Sequence, residues 1–335
     1  MGHAGREAGS ILDVACATTD EMLATSLSGR RVLVTGGAGF IGSHTVTALR
    51  AHGAEVTVAD RERHPDPAVR SVVRDLNEPG AVEAALEPRT DAVVHLAAAT
   101  SVLRSVERPH DTYATNVGVT ASLLERARQL GIESFVFAST NAVIGNHFGD
   151  GPITEFSAMR PLTPYGATKA AGEMLLSAYT SSYGLRCAAL RLTNVYGPGM
   201  INKDGVVARL MRCVRSGQTF EVYGDGRQIR DYVYVADAVN AALLSLTHDI
   251  TGPLVIGSGT STSVVDLVGA VQDISGSSLP IRHVAPKRGE MAGVVVDNRR
   301  ARSLGWNPSV SLRDGLAQVW ETWGARDHES AESAR

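Results

Sequence analysis

Tyr165 and Lys169 stand four residues apart, a spacing that puts both side chains on one face of a helix. That pairing suggests proton transfer. A free phenol has a pKa of about 10, so work as a base near neutral pH needs roughly 4 kcal/mol of favourable electrostatics. The ammonium of Lys169 could contribute, together with positive charge on an oxidised nicotinamide ring. Upstream, Ser139-Thr140 is a hydroxyl-bearing end of an apolar strand. Hydroxyl, base and cation in this order, downstream of a glycine-rich turn, read as a redox enzyme.

A second group of residues reads as a nucleotide cradle. Arg31 to Thr35 is an apolar strand, Gly36, Gly39 and Gly42 follow, and an apolar helix opens with Phe40 and Ile41. Glycines at these points allow a tight turn, close approach to a pyrophosphate and tight packing of helix on strand, with the helix N-terminus facing the phosphates. Asp60 closes the second strand, where a carboxylate can accept both ribose hydroxyls and repel a 2'-phosphate. That choice selects NAD over NADP. Arg61 and Arg63 follow and could soften it. Asp75, after a third apolar run, has two readings: a contact to the adenine amine, or an ordinary turn aspartate.

The elements that must hold these groups alternate in the manner of βαβ units. Short apolar runs occur at Arg31 to Thr35, Glu55 to Asp60, Ser71 to Asp75, Ala92 to Ala97, Ser134 to Ser139 and Cys187 to Leu192. Near-continuous apolar strands suit a parallel sheet covered on both faces. Helical patterns separate them, over 116 to 130 with Leu123, Leu124, Ala127 and Leu130 on one stripe, and over 165 to 183 with Ala170, Met174, Leu175 and Ala178 on another. Beyond residue 193 the pattern loosens around Gly197-Pro198-Gly199, Tyr223-Gly224-Asp225-Gly226 and Gly257-Ser258-Gly259, as expected of a smaller lobe over the carboxyl edge of the sheet. The expected division is a flexible extension over 1–28, a nucleotide-binding domain over 29–192, a substrate lobe over 193–324 and a polar tail over 325–335.

Composition narrows the partners. A 335-residue chain that is 44% hydrophobic can bury a large core, and a formal net charge of -3 gives no global pull towards nucleic acid or an anionic membrane. Cys16, Cys187 and Cys213 lack metal-ligand spacing and fit free thiols in a reducing compartment. No metal is expected. With neither a signal-like run nor a spanning segment in the first 28 residues, the expected location is cytoplasmic.

Taken in order, the glycine turn, Arg74-Asp75-Leu76, His95-Leu96-Ala97-Ala98, Ser139-Thr140 and Tyr165/Lys169 resemble the extended short-chain dehydrogenase/reductase family, in particular its nucleotide-sugar epimerases and dehydratases. The resemblance spans roughly residues 30 to 323 and continues through Arg191-Leu192-Thr193-Asn194-Val195-Tyr196-Gly197-Pro198 and Arg230-Asp231-Tyr232-Val233-Tyr234-Val235. It implies a Rossmann-type doubly wound parallel sheet with a smaller C-terminal lobe, bound NAD and a homodimer built on the helices at 116 to 130 and 165 to 183. Carried over by position, Tyr165 is the general base, Lys169 holds the nicotinamide ribose, and Thr140 bonds the sugar hydroxyl being oxidised. Gly36, Gly39, Phe40, Ile41, Gly42, Asp60, Asp75, Leu76 and Ala97 fall on cofactor positions, and Asn194, Tyr223, Arg230 and Arg288 on substrate positions. Arginines suit a diphosphate because the planar fork binds phosphate oxygens in pairs.

The branch of the family turns on the residues after Thr140. Family dehydratases resemble Thr-Asp-Glu-Val-Tyr-Gly there, whereas this chain reads Thr140-Asn141-Ala142-Val143-Ile144-Gly145. Asn141 and Ala142 cannot transfer protons, so the resemblance implies hydride transfer alone, as in a 4-epimerase acting on a UDP-hexose or its N-acetyl or uronic acid derivative. Two other outcomes stay open at this point: a sugar-nucleotide 4-dehydrogenase or ketoreductase, and a silent nucleotide sensor. Val294 falls near a position that gates substrate size in family epimerases, or simply packs.

Overall fold

The computed structural model describes residues 21–146, 151–285 and 293–332, with side chains described to residue 323. Twelve strands are present among them: β1 (Arg31–Thr35), β2 (Glu55–Asp60), β3 (Arg70–Val73), β4 (Ala92–His95), β5 (Ser134–Thr140), β6 (Arg186–Leu192), β7 (Asn194–Tyr196), β8 (Phe220–Tyr223), β9 (Ile229–Tyr234), β10 (Gly252–Ile256), β11 (Ser261–Ser263) and β12 (Ile281–Val284). The longer helices are α1 (Phe40–Ala51), α2 (Val119–Leu130), α3 (Pro164–Tyr183), α4 (Val206–Ser216), α5 (Val235–Thr247), α6 (Val264–Ser275) and α7 (Leu312–Glu332).

Seven strands form one sheet in the order β3-β2-β1-β4-β5-β6-β10, every neighbouring pair parallel. Its two faces follow from the period of two along each strand. In β1, Val32 and Val34 join one buried cluster with Val46 and Leu49 of α1, while Leu33 joins the opposite cluster with Leu123 and Leu124 of α2 and Leu176 of α3. Each fully buried Leu or Val contributes about 1.5–3 kcal/mol, so helices on both faces are required rather than optional. The order reverses between β1 and β4, and the carboxyl ends beside that switch make the ligand crevice of such sheets.

The seventh strand corrects the expected division at residue 192. The chain leaves the main sheet after β6, forms β7, β8 and β9, then returns through α5, which packs on α1, to lay β10 beside β6. The second lobe is therefore built from stretches on either side of β10, as a three-stranded sheet β11-β9-β7 and a two-stranded sheet β12-β8. Two further boundaries differ. Residues 21–27 are helical, with Leu27 fully buried against the core, so order begins before residue 29. At the other end α7 runs on to Glu332, past the expected tail boundary at 325.

Candidate active site

The carboxyl ends of β1, β2, β4 and β5 present the residues singled out above. Between β1 and α1 the chain turns at Gly36, whose φ is 71°. A Cβ there would stand 2.7 Å from the Ala97 amide nitrogen. One at Gly42 would overlap the Gly36 carbonyl oxygen. Only glycine permits this closeness, which brings the first turn of α1, with Phe40 and Ile41, down onto the strand end. Gly39 caps α1 without a side-chain hydrogen bond, leaving the positive end of the helix dipole uncovered by any cap side chain, as an anion cradle needs. Asp60 accepts the Ala38 amide at 3.0 Å, which fixes its carboxylate beside this turn. The cradle and the acid fit a dinucleotide.

Farther along the edge, Asp75 lies just past the end of β3 and accepts from the Asn77 amide and side chain at 2.9 and 2.8 Å. Those bonds hold its carboxyl below the usual range. They are the bonds of a turn aspartate. Leu76 packs on the core cluster under α2, and the Ala97 amide donates to Thr35 Oγ1 at 3.2 Å.

Tyr165 and Lys169 ride on the first turns of α3. Thr163 caps this helix by accepting the Gly166 amide at 3.2 Å, and Pro164 occupies the first turn, where its missing N–H costs nothing. The Tyr165 amide donates to Ser105 Oγ at 3.2 Å, and the Thr140 side chain lies beside its phenol. Thr140 in turn accepts the Ala142 amide at 3.2 Å, capping a short 3-10 turn over Asn141–Val143. Lys169 is 2% exposed; its Nζ donates to the Ala138 carbonyl at 2.8 Å and lies 4.5 Å above the Phe137 ring.

Electrostatically the pair departs from the expectation. Burial pushes the Tyr165 phenol up to about 12, with the neighbouring Thr140 side chain pulling the other way. Burial likewise lowers Lys169 to about 7. The chain's own groups therefore keep Tyr165 protonated, and the ammonium of Lys169 is itself disfavoured by desolvation. Behind it, His95 bridges Thr35 Oγ1 at 2.7 Å and Thr120 Oγ1 at 3.0 Å. Burial first, and then the charge of Lys169, lower His95 to about 3, so it serves as a neutral strut.

The inward face of α3 also corrects the apolar stripe expected there. Of the expected stripe Ala170 is buried and Leu175 packs partly buried on the core, but Met174 is 62% exposed and Ala178 is exposed, while Thr168, Lys169, Gly172, Glu173 and Leu176 are buried. The polar groups turn inward because partners await them. Asn116, buried within a π-helical turn over Ala114–Gly118, joins the Ala99 backbone at 2.8 and 3.1 Å to Thr168 Oγ1 at 3.0 Å. Sequence reasoning placed residue 116 in a plain α-helix and missed this role; a single-turn π-bulge marks functional sites often enough to be a signal only once seen.

In the second lobe, Asn194 Nδ2 donates to the Asp231 carbonyl at 2.9 Å, tying β7 to β9, and Arg230 sits half-buried on β9. These two share one sheet beyond the carboxyl end of β6. Tyr223 belongs to the other, at the end of β8, with its ring 5.7 Å from the Arg209 guanidinium. Arg288 lies outside the described residues. Val294 is fully buried in a cluster with Val143, Ile144 and Val296. Asp231, unflagged in the sequence, is fully buried and accepts from Thr193 Oγ1, the Ser258 amide and the Gly259 amide at 2.8, 2.8 and 2.7 Å. Among the described residues no cluster of His, Cys, Asp and Glu could hold a metal ion, and no helix is long and apolar enough to cross a membrane.

Residues 32–257 match the family described as the NAD dependent epimerase/dehydratase family. The chain belongs to it. It is 34% identical over 305 residues to the UDP-glucose 4-epimerase of Mycolicibacterium smegmatis, covering 87% of this chain and 97% of that protein. It is 35% identical over 302 residues to the dTDP-glucose 4,6-dehydratase of Streptomyces griseus, with 85% and 92% covered. Among solved structures, the Thermus thermophilus UDP-glucose 4-epimerase in complex with NAD superposes with a TM-score of 0.83 at 36% identity, covering 88% of this chain and 99% of that one. This protein is accordingly an NAD-dependent enzyme of the epimerase family.

Proposed function

We propose that the enzyme is a nucleotide-sugar 4-epimerase whose substrate is a UDP-hexose or its N-acetyl or uronic acid derivative. The observation that carries this reading is the stretch after β5. Where elimination of water would call for a further acid or base, Asn141 is buried and accepts from Thr140 Oγ1 at 3.4 Å, and Ala142 has no proton to give. Inversion at C4 by transient oxidation needs neither.

Gly36, Gly39, Phe40, Ile41, Gly42 and Ala97 would hold the NAD diphosphate and its flanks, Asp60 the adenosine ribose, and Lys169 the nicotinamide ribose. The chemistry NAD supplies when bound is acceptance and return of a hydride. Thr140 orients the C4 hydroxyl, and Tyr165 takes its proton and gives it back. Asn194, Arg230 and Arg288 are assigned to the nucleotide diphosphate, where positive charge and paired donors suit phosphate, and Tyr223 to the substrate.

A homodimer through α2 and α3 is part of the same reading. Its support is apolar surface that a monomer would leave wet: Met174 at 62% exposure on α3, with Leu103 at 62% and Val106 at 60% on the short helix Val102–Glu107 packed against it.

The test uses purified protein in deuterated water with UDP-glucose, UDP-N-acetylglucosamine and UDP-glucuronic acid in turn, followed by proton NMR. A C4 epimer with no deuterium on carbon supports the reading. Deuterium at C3 or C5 would indicate enolisation, and stoichiometric NADH with a keto product would make the enzyme a dehydrogenase.

A further inference from the structure

Glu173 and Arg191 form an ion pair behind the candidate active site, with side chains 4% and 2% exposed. Glu173 follows Lys169 at one further helical interval of four, as Lys169 follows Tyr165, so all three lie along one face of α3. Arg191 lies on β6 directly opposite Ser139 of β5. The guanidinium donates to both carboxylate oxygens, through Nε at 3.1 and 3.2 Å and an Nη at 2.8 Å, and Ser139 Oγ donates to the same carboxylate at 2.5 Å. The hydrogen bonds of this pair go to one another, to Ser139 and to backbone carbonyls, not to Tyr165, Lys169 or Thr140. Burying two charges is expensive unless geometry and extra hydrogen bonds offset it, and here the fork of Arg191 has further work.

Its other Nη donates to the carbonyls of Glu155 and Thr154 at 3.0 and 3.4 Å. The Glu155 side chain then accepts the Val255 amide at 2.9 Å. Two residues before Glu155, the Ile153 amide donates to the Val295 carbonyl and the Ile153 carbonyl accepts from the Asp297 amide, both at 2.8 Å. This 293–297 stretch continues to β9, the Val294 amide donating to the Ile229 carbonyl at 3.0 Å, immediately before Arg230. A continuous set of bonds therefore runs from the base-bearing face of α3 to the strand assigned to the substrate. Apolar packing accompanies these bonds, with Ile153 of the loop, Val294 and Val296 of the segment and Ala170 of α3 in one buried cluster, while on the polar side a cleft of about 490 Å³ lies between α3 and β10, lined by Glu155, Glu173, Arg191 and Pro253 among others.

We infer that Glu173 and Arg191 are positioning residues, which register the 153–155 loop and the 293–297 segment against the face of α3 that carries Tyr165 and Lys169. This rests on the reading of Tyr165 as the base. Misplacement of reacting groups by about 1 Å can cost on the order of 10²-fold in rate, so the pair affects turnover without joining the chemistry.

The experiment compares wild type with the double variant Glu173→Leu/Arg191→Met, which removes both charges together; such replacements are often neutral or stabilising, whereas one partner left alone is strongly destabilising. The expected result is a folded protein that still binds NAD, with kcat for C4 inversion reduced at least about tenfold towards the 10²-fold limit and faster hydrogen exchange at the Ile153, Val255 and Asp297 amides. Wild-type kcat, or unchanged exchange at those amides, overturns the inference. Should the double variant not fold, Arg191→Lys keeps the charge but lacks the fork, and is expected to show the same two effects; its matching wild type in either overturns the inference equally. If wild type inverts no nucleotide sugar, the assigned reaction fails, while the amide exchange still decides the coupling.

Discussion

Lys169 lies one helical turn beyond Tyr165, and its Nζ donates a 2.8 Å hydrogen bond to the Ala138 carbonyl at the end of β5. Burial lowers this ammonium from the ordinary 10.5 to about 7. Between those values the unfolded chain binds a proton that the folded chain does not, so stability rises with pH across the window. Above about pH 9 the signal is mixed, because Cys187, pushed up by burial to about 11, holds its proton in the fold and contributes the opposite slope. The clean range is pH 7 to 8.5. There, urea unfolding of NAD-free protein is expected to show stability climbing with a slope approaching about 1.4 kcal/mol per pH unit, and Lys169→Met should flatten it. An unchanged slope in the Met variant would show that Lys169 titrates normally.

Tyr165→Phe should reduce turnover by about 10²- to 10⁴-fold, the usual weight of general base catalysis, with fold and NAD affinity retained. The same variant checks the ionisation state. With the phenol pushed up to about 12, the ultraviolet difference between NAD-free wild type and the Phe variant is expected to carry no phenolate band below pH 10. A band titrating near pH 7 would mean that the protein alone activates the base.

The strands and the nucleotide turn were legible because their signals are local: an apolar run, three glycines and an acid at the next strand end. Tyr165 and Lys169 could be paired by their helical spacing, whereas Thr140 was given its role beside them only through the family resemblance. What the sequence hid were consequences of long-range pairing. Nothing in Gly252–Ile256 distinguishes a strand of the second lobe from one that returns to the main sheet, since that choice is made by β6 alongside it. The stripe on α3 misled for a related reason. An apolar periodicity normally marks the buried face, yet here Glu173 turns inward to Arg191, and Met174 is left outside. The spacing 165, 169, 173 was the available clue.

Asp60 holds its place through the Ala38 amide, so its replacement should act twice. In Asp60→Ala the carboxylate no longer repels a 2'-phosphate, and the glycine turn loses one restraint. Calorimetric titration is expected to show weaker NAD binding and a ratio of NADP to NAD affinity raised by about tenfold or more, which corresponds to about 1.4 kcal/mol. Selectivity equal to that of wild type would remove Asp60 from the ribose position.

The exposed face of α3 makes the assembly testable without touching the site. Met174 points away from the core at 62% exposure, while Lys169 and Glu173 on the same helix are buried. If a second copy covers this face, Met174→Asp places a carboxylate in an apolar interface, and desolvating an unpaired charge costs several kcal/mol. If water covers it, the substitution is worth no more than about 0.5 kcal/mol. Sedimentation at micromolar concentration should therefore find wild type as a dimer and Met174→Asp shifted towards monomer, with an unfolding midpoint that now falls on dilution. A wild type that sediments as a monomer would remove the homodimer. A variant that stays fully dimeric would move the interface off α3.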